Sequence, residues 1–276
     1  MDLELQAKEM RKLIFKTAYK GKTGHLASAL SIVEVLTALY FGDVLSYDSS
    51  CPEWKDRDKL IMSKGHGSLA IYSVLAMAGF FPCEDLSGFC QPGSVFGGEP
   101  KLGDIPGIEA TTGSLGHGLS FAVGVAMAHK IDKIKSRIYV ILGDGECQEG
   151  SVWEAVMSAA HHKLNNITVI LDNNKLQAMG TLDEILSLEP FAGKWREFGW
   201  ETAEVDGHDI LKIKDELLKD KQSKSENPRL IIANTVKGKG ISFMERIPIW
   251  HYRMPNAEEL EQLLIDLELS KEELLK

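Results

Sequence analysis

Cysteine is scarce in this chain: Cys51, Cys83, Cys90 and Cys147 are all it has, and no two stand in a CxxC pair or at zinc-ligand spacing. That excludes a disulfide framework and a structural zinc site, and a reduced, cytoplasmic setting is expected. Positive charge is also short. The 31 Lys and Arg face 40 Asp and Glu, a net charge of −9, so a nucleic-acid surface is excluded and any anion must be held by local donors. The N-terminus reads as a charged amphipathic helix and not a signal peptide, and no membrane partner is expected. There is no internal repeat or low-complexity stretch, so the whole of residues 1–276 is expected to form one domain around a single large core. The sequon Asn166-Ile167-Thr168 falls at the start of a predicted buried strand, which argues against its use.

Proline and glycine are unevenly placed. Pro92, Gly93, Gly97, Gly98, Pro100, Gly103, Pro106 and Gly107 all lie within residues 82–112, which predicts a long loop, and a loop of that length inside a compact domain is usually functional. Elsewhere the pattern is of alternating helices and strands. Residues 3–20, 27–41 and 66–79 read as helices, and the last twenty residues as one acidic amphipathic helix. The runs Arg137–Leu142, Ile167–Leu171, Glu201–Val205 and Arg229–Thr235 read as strands. This order predicts an α/β fold, a parallel sheet with helices on both faces.

The segment between two of these strands carries the chemistry. Ser151-Val152-Trp153-Glu154 has a capping-box pattern, and Trp153, Val156, Met157 and Ala160 keep helical spacing, so residues 137–171 form a βαβ unit. Both strands of such a unit end at the same edge of the sheet, where open α/β folds bind ligands. Gly143-Asp144-Gly145-Glu146 follows the first strand and Asp172-Asn173-Asn174 ends the second. Standing alone, a Gly-Asp-Gly is a turn. At the matched ends of two parallel strands, Asp144 and Asn174 can share one hard cation, which takes oxygen ligands and keeps positions open for phosphate. Gly143 and Gly145 allow close backbone approach. Gly113-Ser114-Leu115-Gly116-His117-Gly118 precedes another predicted helix, whose free N–H groups and dipole favour the same anion.

Taken together, Gly143-Asp144-Gly145-Glu146-Cys147-Gln148-Glu149-Gly150 with Asn174 resembles the thiamine diphosphate motif of transketolases. Thr23-Gly24-His25, Ser63-Lys64-Gly65-His66-Gly67, Pro106-Gly107-Ile108-Glu109, Thr111–Gly118 and Lys237-Gly238-Lys239-Gly240 match the same family in the same order. The resemblance covers nearly the whole chain but corresponds to only about half of a full-length transketolase. It implies the family's diphosphate-binding (PP) domain and an α2β2 assembly, in which a separate subunit carries the pyrimidine-binding and C-terminal domains. The implied cofactors are thiamine diphosphate and Mg2+, or another divalent cation such as Ca2+ or Mn2+. Asp144, Asn174 and the backbone carbonyl of Leu176 are the implied metal ligands. His66, Gly113, Leu115, Gly116, Gly143, Asp144, Gly145, Glu146 and Asn174 are the implied cofactor contacts. His25 and His251 would bind donor hydroxyls and assist proton transfer, and His66 and Glu149 join them as catalytic residues. The remaining His129, His161, His162 and His208 read as structural or surface residues, the last in an Asp-Gly-His-Asp turn.

One position departs from the family. Gly97-Gly98-Glu99-Pro100-Lys101 has a glutamate where transketolases carry a histidine that contacts the donor's hydroxyls. An ionised carboxylate there only accepts hydrogen bonds and adds negative charge, so Glu99 is a candidate substrate-binding residue that bears on donor choice. The expected activity is transfer of a two-carbon ketol unit from a ketose to an aldose, on sugars or sugar phosphates. Two alternatives remain: a carboligase using a 2-oxoacid such as pyruvate or an unusual sugar, and a non-catalytic assembly or regulatory protein.

Overall fold

A computed structural model describes residues 2–275. Helix α1 (Leu3–Gly21) is capped by Asp2, whose carboxylate accepts the N–H groups of Glu4 and Leu5. Residues 27–41, expected as one helix, form two: α2 (Leu26–Leu30) and α3 (Val33–Phe41). The break falls at Ser31, whose hydroxyl donates to the Ser28 carbonyl and, at 2.8 Å, to the Asp172 carboxylate. A tertiary partner thereby draws the side chain out of the helical pattern. Strand β1 (Lys59–Met62) has only four residues, too few to show a period in sequence. A 3-10 turn at Gly65–Gly67 carries His66, and α4 (Ser68–Met77) follows.

Residues 82–112 are irregular beyond a 3-10 turn at Cys83–Gly88, yet they are not purely surface: Phe89, Phe96, Ile105 and Ile108 are buried and pin the loop to the core. Then come α5 (His117–Asp132), β2 (Ile138–Gly143), a 3-10 turn (Gly145–Gln148), α6 (Gly150–His161) and β3 (Ile167–Asn173). Helix α6 starts at Gly150 after Glu149, so Ser151 lies inside its first turn and the expected capping box does not form. The chain continues through α7 (Leu182–Ile185), α8 (Phe191–Glu197), β4 (Glu201–Asp206), α9 (Ile210–Lys221) and β5 (Arg229–Asn234). The acidic end forms two helices, α10 (Ala257–Asp266) and α11 (Lys271–Leu275), where one was expected.

The five strands make one parallel sheet in the order β1-β2-β3-β5-β4. Alternation along the strands divides the core between its two faces. Tyr139, Ile141, Ile170 and Ile231 meet α1, α3, α4 and α9 on one side, and Ile138, Val140, Leu142, Val169 and Leu171 meet α5, α6 and α8 on the other. Central β2 and β3 are buried along their whole length, while edge strand β4 is half-exposed. Gly143 is paired with Asp172, so the two strand ends that carry the motif finish side by side.

Candidate active site

The carboxyl ends of β2 and β3 open onto a cavity of about 310 Å³. Its walls gather His25, His66, Glu99, Gly113, Leu115, Gly143, Asp144, Gly145, Glu146, Asn174, Leu176 and His251, segments spread from residue 25 to 251. Two expected site residues stay outside. The Gly116 N–H donates to Glu146 Oε1 at 2.9 Å and is spent within the protein. Glu149 is exposed at the start of α6, where its Cβ packs against Gly116.

Glu146 lines the cavity, but its carboxylate accepts Ser63 Oγ at 2.6 Å, the Gly116 N–H and the Gly143 N–H at 3.0 Å. It ties β2 and the start of α5 to the Ser63 segment, so its hydrogen bonds brace the wall of the cavity. Burial raises its pKa, and those three donors oppose the rise.

One part of the lining is a cluster of oxygens. Asp144 is 3% exposed and accepts the N–H groups of Gly145 and Lys175. Burial first, and the neighbouring Asp172 second, push its pKa up to about 7. Asn174 accepts the Leu176 N–H at 3.0 Å through Oδ1, and the Leu176 carbonyl accepts Lys237 Nζ at 3.1 Å. Among the described residues no group of three or more His, Cys, Asp or Glu is arranged to hold a metal. The set here is instead one carboxylate, one amide oxygen and one peptide carbonyl, hard oxygens suited to a magnesium-like ion that keeps positions for phosphate. An under-compensated buried carboxylate adds to that fit, since a cation would stabilise its charged form.

A second part of the lining is a cluster of rings. His25, His66 and His251 lie with centroids 5.1 to 5.6 Å apart, and Tyr252 packs 4.6 Å from His25. Burial, followed by Lys237 and Lys64, pulls His25 down to about 4; burial and Lys237 bring His251 to about 3. His66 is held well below its ordinary value by burial and then Lys64. All three are therefore neutral imidazoles near neutral pH, each with one donor and one acceptor nitrogen.

Residues not singled out as site residues from the sequence hold this site together. Lys64 and Lys237 are buried, and both line the cavity with Ser28, Asp172 and Gln177. Lys237 Nζ lies 2.7 Å from His251 Nδ1. Burial and then Lys64 lower its pKa to about 8, so it remains a cation at pH 7 and donates to Nδ1, leaving Nε2 as the protonated nitrogen of His251. Position in the Ser63–Gly67 and Lys237–Gly240 motifs was the available clue to the two lysines.

Glu99 approaches from the 82–112 loop. Its backbone carbonyl accepts Tyr72 Oη at 3.0 Å, while its carboxylate lies over Gly113, where an added Cβ would collide with it. Gly113 also has φ +140, so the close approach and the backbone both call for glycine.

The family defined as the transketolase thiamine diphosphate-binding domain matches residues 4–263. The chain is 41% identical to one subunit of the apulose-4-phosphate transketolase of Phocaeicola vulgatus, covering 99% of this chain and 96% of that one. It is also 41% identical to the 6-deoxy-6-sulfo-D-fructose transketolase subunit SqwG of a Clostridium species, over 99% and 98% of the two chains. Among solved structures, the transketolase from Leishmania mexicana superposes with a TM-score of 0.91 at 29% identity, covering 98% of this chain and 42% of that one. That from Campylobacter jejuni gives 0.90 at 32%, covering 98% and 44%. The chain thus spans less than half the length of those transketolases and nearly all of the subunit relatives. It belongs to the transketolase family, as a transketolase-type transferase subunit built on the thiamine diphosphate-binding domain.

Proposed function

We propose that this chain is the diphosphate-gripping half of a two-subunit transketolase. It works in an α2β2 assembly with a subunit carrying the pyrimidine-binding and C-terminal domains, and moves a two-carbon ketol unit from a ketose to an aldose. The observation that carries this is a single cavity lined by hard oxygen donors and by three neutral imidazoles. Relatives named for apulose 4-phosphate and for a sulfo-sugar favour a ketose donor over a 2-oxoacid. The four unpaired cysteines suit a reduced, cytoplasmic setting. Among the described residues no helix is long and apolar enough to cross a membrane.

Thiamine diphosphate, when bound, supplies the nucleophilic carbon and the electron sink for ketol transfer. Asp144, Asn174 and the Leu176 carbonyl would hold its divalent cation, Mg2+ or another such as Ca2+ or Mn2+, since the set is of hard oxygens and leaves positions open. Gly113, Leu115, Gly143, Gly145 and His66 also line the cavity. His25 and His251 are placed to bind donor hydroxyls and move protons, and Lys237 fixes the tautomer of His251. Glu99 accepts hydrogen bonds from the donor. Glu149, exposed and outside the cavity, is given no catalytic role within this half of the site.

The test is reconstitution. Alone, the chain should not transfer ketol units; mixed with a subunit bearing the pyrimidine-binding domain, it should do so with strict dependence on thiamine diphosphate and a divalent cation. Robust turnover by the isolated chain would overturn the two-subunit reading.

A further inference from the structure

His208, which in sequence reads as a turn residue, joins two buried systems. Its Nδ1 lies 3.0 Å from Glu34 Oε2, and its Nε2 accepts the Val236 N–H at 2.8 Å. An imidazole that accepts at Nε2 carries its proton on Nδ1, so His208 donates to Glu34 and both ring nitrogens are committed. Glu34 is buried on α3 and pairs through its other oxygen with Arg11 of α1. Arg11 in turn donates from Nε to the Lys239 carbonyl at 3.2 Å. The two arms therefore grip one short segment, at Val236 and at Lys239, and meet at a single carboxylate.

That segment carries Lys237. Between the two grips, the Gly238 N–H donates to the Ala27 carbonyl of α2 at 2.9 Å, and the Lys237 carbonyl accepts the Arg246 N–H at 3.0 Å. Gly238 and Gly240 both have positive φ, and an added Cβ at Gly240 would come 2.9 Å from Arg11 Cδ, so the loop is shaped to lie against the arginine. The Lys237 side chain is 2% exposed and directed at His251 and the Leu176 carbonyl. Arg11, Glu34 and His208 do not line the cavity.

We propose that His208, with Glu34 as hub and Arg11 as second arm, is a positioning residue that clamps the Val236–Lys239 segment and so sets Lys237 against His251. The consequence for catalysis rests on the transketolase reading above; the clamp itself does not.

Two substitutions separate the arms of the ring. An asparagine amide can reproduce the Nδ1 donor to Glu34 but leaves the Val236 N–H without its acceptor, whereas a glutamine oxygen can reach the Nε2 position. Amide hydrogen exchange of the full chain, read peptide by peptide, should show residues 235–241 of His208→Asn exchanging at least tenfold faster with the rest unchanged. In the reconstituted complex, kcat should fall fivefold or more or thiamine diphosphate affinity weaken by a similar factor, and His208→Gln should recover most of both losses. The clamp is overturned if exchange in 235–241 stays at the wild-type rate, or if it rises equally throughout the chain. The positioning role is overturned if the loop loosens while kcat and cofactor affinity hold. Should the wild-type complex itself show no ketol transfer, the proposed function fails, and exchange with cofactor affinity still decides on His208.

Discussion

Lys64 Nζ lies 2.5 Å from Asp172 Oδ2 with both side chains sealed from solvent, a buried ion pair in the wall of the cavity. Asp172 also accepts Ser31 Oγ, Thr235 Oγ1 and Asn174 Nδ2, and Lys64 donates to the Ser28 carbonyl at 2.9 Å. The pair thus ties β3 to α2, to the break that follows it and to the end of β5, and it orients Asn174. Burial alone would raise the Asp172 pKa; Lys64 and the hydroxyl donors more than offset this and lower it.

Breaking that pair from one side should be costly. Lys64→Met leaves a carboxylate buried with hydrogen-bond donors but no countercharge, and a loss of about 3 kcal/mol is expected, the low end for a broken buried pair. Denaturant unfolding should show the double change Lys64→Met with Asp172→Asn losing clearly less than the single one. Equal losses would mean that the unpaired charge is not what destabilises the protein.

Asp144 should make the cation-free chain less stable as pH rises. Its folded pKa of about 7 lies above the ordinary aspartate value of 3.8, so the folded state holds a proton that the unfolded state releases. The stabilisation is complete below about pH 4 and is lost as pH rises through 7, on the order of 4 kcal/mol in all. Melting curves between pH 4 and 8 in a chelator should show wild type losing more stability than Asp144→Asn, and Mg2+ with thiamine diphosphate should restore it near pH 7. Parallel curves for the two proteins would contradict the shift.

Removing a proposed metal ligand should be felt in binding before it is felt in folding. Asp144→Ala and Asn174→Ala should each weaken thiamine diphosphate affinity of the reconstituted complex by about tenfold or more, by analogy with disturbed metal shells. Changes to the Leu176 side chain should matter little, because only its carbonyl is used. Wild-type affinity in both alanine variants, by titration calorimetry, would place the cation elsewhere.

Glu99 is the position that should read the donor. If it accepts hydrogen bonds from a common ketose, Glu99→His should preserve or raise ketol transfer. If the native donor is a 2-oxoacid or an unusual sugar, the change should depress the native reaction and leave common ketoses poor. A hydrogen bond to a charged group is worth roughly 1.5 to 3 kcal/mol, about tenfold to a hundredfold in rate if made only in the transition state. Turnover across ketose phosphates, free ketoses and pyruvate decides; equal rates for both proteins on every donor would show that the position does not read the donor.

Local periodicity and spacing carry part of this protein without any help from folding. Buried β2 and β3 announce themselves as apolar runs, and Asp144 and Asn174 follow those runs at fixed offsets, so a parallel sheet with oxygen donors at one edge was legible. So were His25 and His66 as cavity residues, through the family motifs that contain them, while His251 was reached by the resemblance without a matching motif around it. Tertiary structure decided what depends on groups distant in the chain. Ser31 breaks a helix because Asp172, 141 residues away, takes its hydroxyl. The Gly116 N–H goes to Glu146, 30 residues further along the chain. Glu149 ends outside the cavity because the start of α6 is set by the preceding 3-10 turn and not by the Ser151 pattern. His208 read as a structural or surface residue, and its structural partner stayed hidden because an imidazole in an Asp-Gly-His-Asp turn gives no hint of a glutamate 174 residues earlier. The buried roles of Lys64 and Lys237 were equally hidden: a lysine's place in a sheet-edge cavity is fixed by the carboxylate or imidazole that folding brings to it, and neighbours in sequence carry no record of that partner.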